Sequence, residues 1–155
     1  MAIAEISPLT DTSLDLLELR HRRRETALHQ LVQCAFEHQV VRHPALLETS
    51  LLRRERLGTT ALGRGHAVTG AWSWCVRVPL VVVGLSEKGV GWDIADRHDV
   101  EIVALVLTPG DIAEEQHFRR LEAVANALRL QRSRQRLLDR RDLPTLSLLM
   151  KEVPR

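Results

Sequence analysis

"VEIVALVLTPGDIAEEQHFRRLEAVANAL", residues 100–128, reads as a strand running into a helix. Residues 100–107 form a nearly unbroken aliphatic run, the pattern of a strand covered on both faces. Pro109 and Gly110 end it, and Asp111 stands as a natural N-cap with Glu114 three positions on, in the manner of a capping box. This spacing predicts the longest helix of the chain, with Phe118, Leu121, Val124, Ala125 and Leu128 on its core face. A buried strand feeding a helix is the unit from which sheets covered by helices are built.

Working outward, "VRVPLVVVGL" at 76–85 reads as a second buried strand, with Pro79 placing its start after the proline or its position at an edge. Between the two strands, "SEKGVGWDIADRHD" reads as a loop or a hairpin. Upstream, "ETALHQLVQCAFEHQ" places Ala27, Leu28, Leu31, Val32, Ala35 and Phe36 on one helical face. Pro44 opens a second helix that runs to about Leu57, where Gly58 can end it. Short extended pieces are expected at 59–62 and 66–68, and a short final helix near Asp142. Residues 1–20 read as a lead-in arm or short strand, and 20–155 as a single domain. The order predicts a sheet covered on both sides by helices, α/β or α+β.

The chain has 155 residues, 45% of them hydrophobic and 27% charged, enough to bury a core without staples. With 3% aromatic residues and no tyrosine, that core must be aliphatic. A net charge of +2 gives no electrostatic case for nucleic acid. The arginine runs "RHRRR" (20–24) and "RLQRSRQRLLDRR" (129–141) lack stacking aromatics and have acids close by, so they read as solvated helix faces. Cys34 and Cys75 have no metal-ligand spacing and read as buried, reduced thiols of a cytoplasmic protein. His38 and His43, five apart across a helix end, make no metal pair; neither metal nor cofactor is expected. The N-terminus carries acids and lacks the long apolar core of a signal peptide, and no apolar run approaches ~18 residues, so no membrane insertion is expected. Trp72 and Trp74 are two apart and would share a face of an extended chain. They either cap the end of the core or form a partner-docking patch.

Two stretches carry a family likeness. "LLRRERLGTTALGRGHAV" (51–68) resembles an Arg-Glu-x-Leu-x-Ser/Thr-Thr segment followed by a Gly-x-Gly loop and Ala-Ile/Val-Pro-His-Gly. Residues 100–128 resemble a strand, acidic loop and helix carrying His-Leu-x-x-Leu. In that order they are similar to the enzyme IIA domain of the bacterial phosphoenolpyruvate-dependent phosphotransferase system, in the class that includes the fructose, mannitol and nitrogen-regulatory members. The likeness covers about residues 20–150. It implies a three-layer α/β sandwich, with a mixed sheet of about five strands flanked by helices on both faces.

The resemblance also implies a function. In the family, a histidine accepts a phosphoryl group from a small phosphocarrier protein and passes it to a permease domain or a regulatory target. It implies Arg54 as the arginine near the phosphate and His117 as the histidine that supports the active one. At the centre the chain departs from the pattern: in "AVTGA", Thr69 stands for the proline and Gly70 for the acceptor histidine. The expectation is a degenerate regulatory or docking module whose partners are other proteins: a phosphocarrier-like protein, a permease or a regulatory target. Gly70 would leave a vacancy beside Arg54 and His117 able to take phosphate, sulfate or a nucleotide. The alternatives are an active carrier using a relocated histidine, His66 or His117, and a small-anion or nucleotide sensor at the vacant cradle.

Overall fold

The computed structural model describes residues 8–92 and 99–151. Its elements run β1 (Ser13–Glu18), α1 (Arg24–Glu37), α2 (Pro44–Leu57), β2 (His66–Ser73), β3 (Leu80–Val90), β4 (Val100–Pro109), α3 (Glu114–Ala127), α4 (Gln131–Arg140) and α5 (Leu143–Lys151). The strands form one mixed sheet in the order β1-β3-β4-β2. β1 lies parallel to β3, β3 antiparallel to β4, and β2 parallel to β4, so β1 and β2 are the edges. The expected sandwich is therefore present, with four strands among the described residues rather than five. Residues 59–62, expected as an extended piece, make only an isolated bridge from Ala61 to Ala67. Thr60 is held back toward α2 by Glu55, and Gly63 turns the chain at φ +77°. The strand expected at 66–68 instead runs on to Ser73.

Alternation along the central strands divides the core in two. Leu80 and Val82 of β3, with Val103, Leu105 and Leu107 of β4, face α1 and α2 and meet Leu28, Leu31, Leu47 and Leu51. Val81, Val83, Ile102, Ala104 and Val106 face the other way and meet Val124, Leu137, Leu146 and Leu149 from α3, α4 and α5. Pro79 precedes β3, so the interior strand begins where its backbone N–H groups can all pair. Asp142 accepts a hydrogen bond from the Thr145 backbone N–H at 2.9 Å, which sets the start of α5.

The segment after β4 differs from expectation. α3 starts at Glu114 with Ala113 as its N-cap and no side-chain cap, so Asp111 lies in the preceding turn. At 14 residues α3 is no longer than α1 or α2. Its buried face is His117, Arg120, Val124 and Ala127, while Phe118 is 57% exposed. Apolar periodicity alone misses this face because two of its residues are polar and find partners inside. The second arginine run folds as α4, with Arg134 and Leu137 inward. Arg134 donates to the carbonyls of Leu128 and Arg129 at 2.8 and 2.7 Å, capping α3. Arg141 forms a two-pronged ion pair with Glu18 at 2.7 and 2.5 Å, tying the end of α4 to β1.

Leu105 is fully buried between the central strands and the α1 side of the core. Leu105→Ala is expected to destabilise the fold by about 3 kcal/mol, read as a lowered urea midpoint at unchanged slope.

Candidate functional site

The edge strand β2 and the loop before it carry the residues singled out by the sequence. The loop is anchored from below by a buried carboxylate. Glu55, 5% exposed, accepts hydrogen bonds from the Thr60 backbone N–H and the Trp92 indole, both at 3.2 Å, and from the Thr60 hydroxyl. The indole also reaches the Thr60 oxygen at 3.2 Å. Donors from three directions replace the water this carboxylate gives up. From that anchor the chain turns through Gly63 and Gly65, both at positive φ, into His66.

Gly70 lies inside β2, paired with Val106. A Cβ built there would stand 2.4 Å from the Val106 carbonyl oxygen and 3.1 Å from a Leu121 methyl. The vacancy expected beside Gly70 is thus closed: the backbone of β4 and a side chain of α3 occupy it.

The residues expected to line that vacancy do not converge. Arg54 is exposed on α2 and donates to the Gly58 carbonyl at 2.9 Å. His117 sits on α3, across the sheet, and among the described residues no hydrogen bond or ion pair joins the two. His117 is instead part of a buried polar cluster. Its Nδ1 lies 2.7 Å from the Thr108 hydroxyl, which also accepts from Arg120. The Arg120 guanidinium donates to the Leu107 carbonyl at 2.8 Å and reaches Thr12 at 3.4 Å, while its Nε has no partner. Burial, then the adjacent Arg120 cation, pushes the His117 imidazole down to about 4, and burial lowers Arg120 to about 10. Sequence reasoning missed Arg120 and Glu55, though each had a signal: Arg120 is one turn on from His117, and Glu55 sits on the buried face of α2 beside Leu51.

His66 opens β2, is 3% exposed, and has a buried Nδ1 without a partner. Burial first, then the Arg134 cation, lowers it to about 4. It lines a cleft of about 640 Å³ with Arg64, Arg129 and Asn126. A neutral imidazole next to arginines could receive an anion, a grouping that links the glycine loop to the α3–α4 junction and is not legible from spacing. Trp72 and Trp74 end the edge. Trp72 donates its indole N–H to the Ile112 carbonyl at 2.7 Å and remains 41% exposed; Trp74, in the turn that follows, is 70% exposed.

Residues 9–152 match the family described as phosphoenolpyruvate-dependent sugar phosphotransferase system, EIIA 2. The chain belongs to this family. It is 27% identical over 153 residues, 99% of each chain, to the fructose-specific EIIA component of Haloferax volcanii, so the likeness is not confined to bacteria. Its fold is similar to nitrogen regulatory protein IIA-Ntr from Neisseria meningitidis, with TM-score 0.77 and 20% identity, covering 93% of this chain and 95% of that one. It is likewise similar to enzyme IIA mannitol from Escherichia coli in complex with phosphorylated enzyme IIB mannitol, with TM-score 0.71 and 20% identity over 90% and 93% of the chains. Among the described residues of this EIIA-type chain, no helix is long and apolar enough to cross a membrane.

Two tests follow. Gly70→Ala is expected to destabilise the protein by about 2 kcal/mol, because the new methyl meets backbone rather than a yielding side-chain tip, and chemical denaturation would read the loss. For His66 and His117, folded values near 4 lie below the ordinary 6.5, so the unfolded chain binds more protons across that window. Their contribution is fully present above 6.5 and is lost as pH falls toward 4. The thermal midpoint should therefore drop across pH 6.5 to 4, with both rings titrating near 4 by NMR.

Proposed function

We propose that this chain is a non-phosphorylatable EIIA-type module that regulates or docks onto other phosphotransferase proteins in the cytoplasm. The observation that carries this reading is Gly70. By the motif resemblance it stands at the family's acceptor register, where it offers no nucleophile, and a Cβ there would press on Val106 and Leu121. Two further contacts support it: His117 is engaged with Thr108, and Arg54 with the Gly58 carbonyl. Phosphoryl transfer needs a nucleophile, a supporting group and charge held together in line, and it tolerates little displacement. The partner-facing surface on this reading is the β2 edge, where Trp72 and Trp74 offer large, rigid, exposed contact area. A IIB-type domain is the partner class, by analogy with the mannitol complex.

One observation favours a second reading. His66 holds a neutral imidazole in a cleft with Arg64 and Arg129, the components of a relocated acceptor. Incubation with phosphoenolpyruvate, enzyme I and the histidine phosphocarrier, followed by phosphorus NMR, decides between them. The expected result is no phosphohistidine. An acid-labile signal that disappears in His66→Ala or His117→Ala would replace the docking reading with the carrier reading.

A further inference from the structure

At the opposite edge of the sheet, we infer that Asp15, Cys34 and His38 form a three-ligand site for a divalent transition metal of the zinc class. The alternation of β1 is interrupted at Asp15. Leu14 and Leu16 pack toward α3–α5, while Leu17 and Leu19 pack toward α1. Asp15 shares the parity of Leu17 and Leu19, so a carboxylate occupies an α1-facing position where alternation calls for an apolar side chain. Cys34 of α1 and His38 at its C-cap, four apart and so on one side of the helix end, meet it. His38, the C-cap, brings Nε2 to 2.5 Å from Asp15 Oδ2, and Cys34 donates its thiol to the same oxygen at 3.2 Å. One atom from each residue lies within 4.8 Å of the other two.

An ordinary surface ion pair accounts for Asp15 and His38 but not for the thiol on the same oxygen. Sulfur, imidazole nitrogen and carboxylate oxygen are the three ligand types zinc takes, whereas magnesium and calcium require oxygen throughout. Zinc bonds of about 2.0–2.3 Å give tetrahedral edges of roughly 3.3–3.6 Å, so the hydrogen-bonded set needs to open by about 1 Å or less to admit an ion. On binding, the thiol proton leaves to solvent, and thiolate plus carboxylate balance the ion's double charge in a half-buried setting. The His38 side chain is 56% exposed, so water can complete the tetrahedron. Three protein ligands and one open position make an exchangeable site that clips β1 to the end of α1.

The test uses the full chain, stripped with chelator and kept reduced, with zinc or cobalt(II) alone as the probe. One ion per chain is expected, with a thiolate-to-cobalt charge-transfer band in the near ultraviolet and intense tetrahedral bands in the visible. Cys34→Ser should abolish the charge-transfer band. His38→Ala, an exposed change that leaves the core alone, should weaken zinc binding by more than the roughly 10- to 100-fold that loss of an outer-shell partner costs. Zinc should raise the thermal midpoint of the parent chain and not of His38→Ala. Absence of the thiolate band, or zinc affinity unchanged in His38→Ala, overturns the assignment. Should Cys34→Ser fail to fold, the cobalt spectrum of the parent chain and the His38→Ala titration decide the question alone.

Discussion

The close approach of β2, β4 and α3 at Gly70 governs this half of the molecule. There the space for a side chain is taken by the Val106 carbonyl and the Leu121 methyl. α3 packs on this edge through Leu121 and turns His117 and Arg120 inward. Both then need partners away from water, and Thr108 and the Leu107 carbonyl supply them.

That cluster runs against the usual expectation for a buried cation. Among the described residues Arg120 has no carboxylate partner; a carbonyl and two hydroxyls serve instead. A neutral His117 fits beside it, because a second positive charge so close would meet both repulsion and the loss of water. The Glu55 cluster across the sheet shows the opposite sign handled in the same way, with a carboxylate satisfied by neutral N–H and O–H groups. Neither cluster gains from pairing with the other, since the sheet lies between them. Their shared effect is to pin the two ends of the glycine loop and edge strand, one through Thr60 and the other through Thr108.

Local pattern made part of this legible. The aliphatic runs at 80–85 and 100–107 are strands because nothing in them tolerates water, and Pro44 and Gly58 mark both ends of α2. The order of motifs from Arg54 to Leu128 revealed the family. What stayed hidden was non-local. Phe118 is outside and Arg120 inside because of Thr108, which apolar counting cannot weigh. The arginine run at 129–141 folds as α4 because Arg134 finds two carbonyls and Arg141 finds Glu18, 123 positions away in sequence. Cys34 read as an inert core thiol, yet it is half-buried, and its neighbour Asp15 comes from another element. At Gly70, the sequence shows a glycine where the motif resemblance implies a histidine, but not the carbonyl that closes on it.

On the proposed reading of Gly70, losing a reactive residue and losing a reactive site are different events, and the contacts around Gly70 bear on which of the two that reading implies. Simple deletion of the imidazole would leave a pocket with its arginine and its second histidine still aimed into it. Here the strand is closed over, Arg54 turns to the end of its own helix, and His117 is bonded within the interior. On the proposed reading, a histidine at position 70 would have to displace the Val106 carbonyl of β4 and the Leu121 side chain. The Glu55 anchor and the positive-φ glycines hold the loop and edge in shape. A chain under pressure to present that edge to a partner would keep those features and release the others, which is the pattern the docking reading requires.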